Sequence, residues 1–169
     1  MAAWQRPIYW VVLFALGLMV QTALLPEVFP VGYVPSIMLS LVVVLALYET
    51  PRGGLALGLV GGALTDLLGG RLIGLNTLTF GVLGYVIASY QPRWRHDQIV
   101  LPGVVGALSQ LVMGPAQWLL LHVIGYPVAW QMVSAPLPYL VLFSLLFTPA
   151  VGAILGLRPE SSRSRRGGR

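Results

Sequence analysis

Apolar residues run along this chain in long blocks separated by short polar or Gly/Pro clusters, without the two-residue alternation of a half-exposed strand. Six blocks are apolar through most of their length: 8–25, 34–48, 54–68, 72–90, 99–124 and 137–157. A helix that crosses a bilayer needs about 20 apolar residues, within a range of about 17–25. The pattern predicts an all-α integral membrane protein, a bundle of six transmembrane helices. The second and third blocks are short for a crossing, so they are expected to extend into their flanks or to lie where protein surrounds them. The fifth is long and contains Gly114-Pro115, where a kink is expected. Pro35 reads as a first-turn helix proline. The first block is longer than a signal-peptide core and no Ala-x-Ala site follows it, so it reads as a retained span. Residues 1–157 are expected to form one membrane domain. The stretch 158–169, "RPESSRSRRGGR", reads as a disordered basic tail.

Composition agrees with that pattern. The 169 residues are 57% hydrophobic and 9% charged, with a mean hydropathy of +0.82. Soluble domains carry about 25% charged residues, because their surface must face water. Charge then sets orientation. All ten basic residues are arginines, and the formal net charge is +5. With both termini cytoplasmic, Arg6, Arg52, Arg93, Arg95, Arg158, Arg163, Arg165, Arg166 and Arg169 lie inside and only Arg71 lies outside, as the positive-inside rule requires. "QPRWRHDQ" interleaves charge with Trp94 as a nucleic-acid patch does. Topogenic arginines and an interfacial Trp account for it, so anionic lipid at the cytoplasmic face is the expected partner and nucleic acid is not.

The chemistry of catalysis is thinly represented. With no Cys and no Lys, thiolate sites, disulfides, Schiff bases and a Walker A loop are excluded. No H-E-x-x-H or G-x-S-x-G motif occurs, and an aspartyl dyad would need two embedded acids where Asp66 stands alone. His122 has no ligand partner at helical spacing. Neither an enzyme nor a metal or cofactor protein is expected.

What stands out is "GGLALGLVGGALTDLLGGRLIGLN" (53–76). Gly54, Gly58 and Gly62 fall four apart and Asp66 continues the series. Small residues at that spacing let helix backbones approach closely in lipid, where apolar burial alone gives no advantage. Gly61 lies beside the stripe and is expected to widen it, and related pairs occur at Gly84/Ala88, Gly103/Ala107 and Gly152/Gly156. A carboxylate in hydrocarbon needs partners. Arg71 by charge, the free N–H groups opening the fourth helix, and Thr65, Asn76 and Thr77 by hydrogen bonds are the candidates. Gln21, Glu27 and His122 form a candidate external polar cluster at the same depth. Gln110 and Gln117 are candidates for interhelical hydrogen bonds. Three roles for Asp66 stay open: a fastening of the hairpin between spans three and four, a contact to a partner protein, or a ligand or ion site.

The run "LALGLVGGALTDLLGGRLIGLNTLTFGVLGYVIASYQPR" resembles the MreD family of bacterial rod-shape-determining membrane proteins. The carrying residues are the Gly stripe leading into "TDLL", then "GGRLIGLNTL", then Gly84-Tyr85. The resemblance implies a non-enzymatic scaffold of the cell-elongation machinery in the inner membrane. It would bind an MreC-like single-span partner, and through it the polymerase and transpeptidase pair of side-wall peptidoglycan synthesis and the actin-like MreB. A homodimer is among the assemblies it admits. It also implies a fold similar to the vitamin-binding S-components of energy-coupling-factor transporters, with Asp66, Gly74 and Asn76 at family motif positions. Family members often carry an acid after the proline that opens the second span, where this chain has Ser36. The alternative function is an S-component-like substrate-binding subunit, whose candidate ligand contacts are Asp66, Asn76, His122 and Trp130.

Overall fold

The computed structural model describes residues 5–29, 34–69, 74–90, 100–126 and 128–155, and every element among them is helical. Helix α1 (Gln5–Met19) passes into a π-helical turn (Val20–Leu24) and a short α2 (Leu25–Val28). The chain continues with α3 (Ile37–Ala46), α4 (Pro51–Gly69), α5 (Leu75–Tyr90) and α6 (Val100–Val123), and a short α7 (Trp130–Ser134) leads into α8 (Leu137–Ile154). Three stretches are long and apolar enough to cross a bilayer: Trp10–Val28, Val100–Val123 and Trp130–Ile154. Helices α3 and α5 are shorter apolar helices. The basic tail lies outside the described residues.

The centre of the bundle is α3. All ten of its residues are buried, and α1, α4, α5, α6 and α8 all pack on it. A helix apolar on every side needs protein or lipid around it, and the composition IMLSLVVVLA leaves no polar face to expose to water. Ten residues rise only about 15 Å, half of a typical hydrocarbon core. The short second block thus lies inside protein. The third lengthens instead, since α4 begins at Pro51 and runs 19 residues.

Pro35 departs from the expectation of a first-turn proline. Ser36 is the N-cap of α3 and Pro35 precedes it, fully buried. The cap residue keeps an extended backbone (φ −84°, ψ 100°) while its Oγ accepts from the Leu39 N–H at 3.1 Å, so the helix starts only at Ile37. Helix α6 passes through Pro115 without interruption.

The most extensive helix pair is α4 with α5, followed by α6 with α8. The stripe explains the first. A Cβ placed on Gly54 would meet the Gly84 carbonyl and the Ala88 methyl, on Gly58 the Phe80 carbonyl and Gly81 Cα, and on Gly62 the Asn76 carbonyl and Thr77 Cα. The neighbour at each step is backbone, which cannot swing aside. Gly61 does not widen this face. One residue along a helix turns about 100°, and Gly61 points instead toward Val42 of α3 and Phe14 of α1. Across α6 and α8 the contact uses Gly103 against the Leu145 carbonyl and Gly106 against Thr148, so the pair is three apart and Ala107 is only half-buried. A Cβ placed on Gly152 would lie 3.8 Å from Val44, an ordinary contact; Gly156 lies outside the described residues. Large apolar side chains on the outer faces of α1, α5, α6 and α8, such as Leu16, Val82, Val112 and Leu146, are exposed, an exterior that suits lipid and not water.

Candidate functional site

Asp66 sits three residues from the end of α4 and is 3% exposed. Both of its oxygens are engaged by the start of α5. Oδ2 accepts from the Gly74 N–H at 2.8 Å, the Thr77 N–H at 2.9 Å and the Thr77 hydroxyl at 2.7 Å. Oδ1 accepts from the Asn76 N–H at 3.1 Å and Asn76 Nδ2 at 2.9 Å. The reason lies in how helices begin. The first N–H groups of a helix have no partner within it, and a side chain at the N-cap normally takes one. Gly74 precedes α5, and its carbonyl accepts from the Leu78 N–H at 3.0 Å, but glycine has no side chain with which to cap. Its φ of +106° is open to glycine and strained for other residues. Asp66 supplies the missing cap from the preceding helix, and the positive end of α5 favours its charge.

The network reaches a third helix. Gln117 of α6 donates through Nε2 to Asn76 Oδ1 at 2.7 Å. A carboxylate on α4, a carboxamide on α5 and a second on α6 are thereby joined. At the start of α3 a parallel arrangement appears. Gln21, in the π-helical turn, accepts from the Met38 N–H through Oε1 at 3.0 Å, beside the Ser36 cap. Helices α3 and α5 are thus both capped by side chains from their neighbours. Capping is a task that Ser and Asp perform about equally well, so Ser36 does here what the acid expected at this position would do.

The remaining site candidates fall elsewhere. Among the described residues no hydrogen bond links Gln21, Glu27 and His122 into one cluster. Glu27 is exposed on α2, and His122 is exposed at the end of α6, stacked on Trp118 with centroids 5.4 Å apart. Trp118 donates to the Val128 carbonyl at 2.9 Å and meets Trp130 edge-on at 5.1 Å. Arg71 lies outside the described residues. No group of three or more His, Cys, Asp or Glu able to hold a metal occurs among the described residues. Sequence reasoning missed the Gln21 cap, which pairs residues 17 apart. The Ser36 cap had a signal: a serine directly before an apolar run.

Between these capped ends lies a cavity of about 680 Å³. It opens where α3, α5 and α8 begin and α1, α4 and α6 end. Gln21, Ser36, Thr65, Asn76, Gln110 and Gln117 form its polar wall, and Trp118 with apolar residues from α3, α5, α6, α7 and α8 forms the rest. No Asp, Glu or Arg is among the described residues that line it.

Against known proteins, the family model described as rod shape-determining protein MreD matches residues 4–155. No curated protein and no solved structure matches the chain.

Proposed function

The chain belongs to the MreD family of rod shape-determining membrane proteins, and from this premise we propose that it is a non-enzymatic scaffold of the elongation machinery. In this reading it crosses the inner membrane six times with both termini in the cytoplasm. It grips an MreC-like single-span partner and so helps to position the polymerase and transpeptidase pair and the actin-like MreB. Anionic lipid attracts its cytoplasmic arginines, and a homodimer is compatible with its apolar exterior.

The observation that carries this reading is that the acid the sequence singles out is spent on internal bonding. Asp66 has both oxygens engaged by α5, so it acts as a fastening with no lone carboxylate to offer a substrate. A rigid body with an apolar outer surface is what a membrane scaffold needs, since helix association in lipid rests on close packing and polar pairing. Family membership, with shape determination as its described role, supports the scaffold reading over the transporter-subunit alternative. The direct test is co-purification from membranes under mild extraction. An MreC-like protein should accompany the wild-type chain; its absence under conditions that keep the bundle folded would overturn the proposal.

A further inference from the structure

The cavity carries polar groups that scaffolding does not require. Its polar groups fall into two sets. Thr65, Asn76 and the Ser36 hydroxyl are committed to bonds within the bundle. Three carboxamides are not fully committed. Gln110 lines the cavity midway along α6, half-buried, and makes no hydrogen bond among the described residues. Gln117 uses Nε2 on Asn76 and keeps Oε1 free among the described residues, and Gln21 uses Oε1 on Met38 and keeps Nε2 free. A carboxamide both donates and accepts, and one left half-buried without a partner costs free energy in an apolar surround. None of these atoms is sealed off: no buried side-chain N or O among the described residues lacks a partner. The free groups therefore face open space.

We infer that this cavity is a binding site for an uncharged, hydroxyl-bearing ligand with an apolar flank, a glycoside in chemical class. Size permits it, since small-molecule sites run from about 300 to about 1,000 Å³. Charge selects it. The described residues of the wall include no Asp, Glu or Arg, so none of them offers a charged ligand a counter-charge for the hydration it would lose. Hydroxyls donate and accept, and so match a wall that offers Gln21 Nε2, Gln117 Oε1 and both ends of Gln110. The Trp118 indole and the apolar side of the cavity provide a surface for the C–H face of a sugar ring or for an alkyl chain. Such a ligand could come from water as a free sugar or from the membrane as a neutral glycolipid headgroup; the recognition chemistry is the same. The inference stands apart from the scaffold reading, because it concerns the inside of the bundle and not its partner-facing exterior.

The experiment uses the full chain in phospholipid nanodiscs, prepared without glycosidic detergent. Labelled octyl glucoside, free glucose and octyl phosphate are each titrated by equilibrium dialysis, with empty nanodiscs as the partition control. Saturable uptake of octyl glucoside above the control is expected, weakened about tenfold in Gln110→Leu, which removes paired neutral hydrogen bonds. Val133→Trp, which fills the cavity from α7, should abolish it. Glucose binding at similar strength would assign the aqueous source, and binding of octyl glucoside alone the lipid source. No saturable uptake by the wild-type chain would overturn the proposal. So would uptake that both substitutions leave unchanged, or octyl phosphate binding as tightly as the glucoside. The comparison of neutral with charged probe needs no variant, so it decides the matter even where a substitution impairs folding.

Discussion

Asp66 faces five donors with two oxygens, and this makes its replacement by Asn far from conservative. Oδ2 takes the backbone N–H groups of Gly74 and Thr77, and Oδ1 takes that of Asn76. Whichever way an asparagine amide is turned, its NH2 opposes at least one backbone N–H that cannot rotate away. Asp66→Asn should therefore destabilise the bundle nearly as much as Asp66→Ala, each by about 3 kcal/mol or more, since buried donors are left unpaired at the mouth of a helix. Unfolding titrations in mixed micelles would measure this. An Asn variant as stable as the wild type would show that the carboxylate is not the cap. Ser36→Asp should behave in the opposite way, changing stability by less than about 1 kcal/mol, because either side chain can accept from the Leu39 N–H.

At the scale of elements, the pairing of α4 with α5 depends on the absence of side chains at three positions. Gly58→Ala adds one methyl group, yet it would meet the Phe80 carbonyl, which is fixed in its own helix. Overpacking of this kind costs about 1–3 kcal/mol. At the end of the same helix, a Cβ added to Gly69 would have no neighbour within 4 Å, so Gly69→Ala should stay within about 0.5 kcal/mol of the wild type. Measured side by side, the two variants separate close approach from helix propensity, since the second effect alone would make both substitutions mildly favourable. Equal stability of the two would refute the contact face.

For the molecule as a whole, the six-crossing arrangement makes a prediction that the absence of cysteine renders clean to test. In the proposed topology the turn between α3 and α4 lies inside and the turn after α6 lies outside. Thr50→Cys should be labelled by a membrane-impermeant maleimide only after the cells are opened, and Tyr126→Cys, exposed beyond the end of α6, should be labelled in intact spheroplasts. Labelling of both from the same side would remove an odd number of crossings between them. The orientation also decides which compartment the cavity meets: it lies at the same end of the bundle as Tyr126, and so opens away from the cytoplasm in this topology.

The chain's own pattern determined membrane residence, helical class and approximate segment positions, because each rests on local composition: apolar blocks of a given length and arginines between them. It also marked Gly54, Gly58, Gly62 and Asp66 as a contact line, since a spacing of four is legible within one helix. Only the tertiary structure decided what that line meets. The α5 backbone, the α3 core position, the Gln21 cap and the 41-residue reach from Gln117 to Asn76 join segments whose separation along the chain carries no signal of proximity. The same holds for Gly61 and for Gly103 with Gly106, whose partners follow from helix rotation and crossing. A hydrogen bond or a close approach across helices is a property of where two backbones are held, and that is set by the packing of all the helices together.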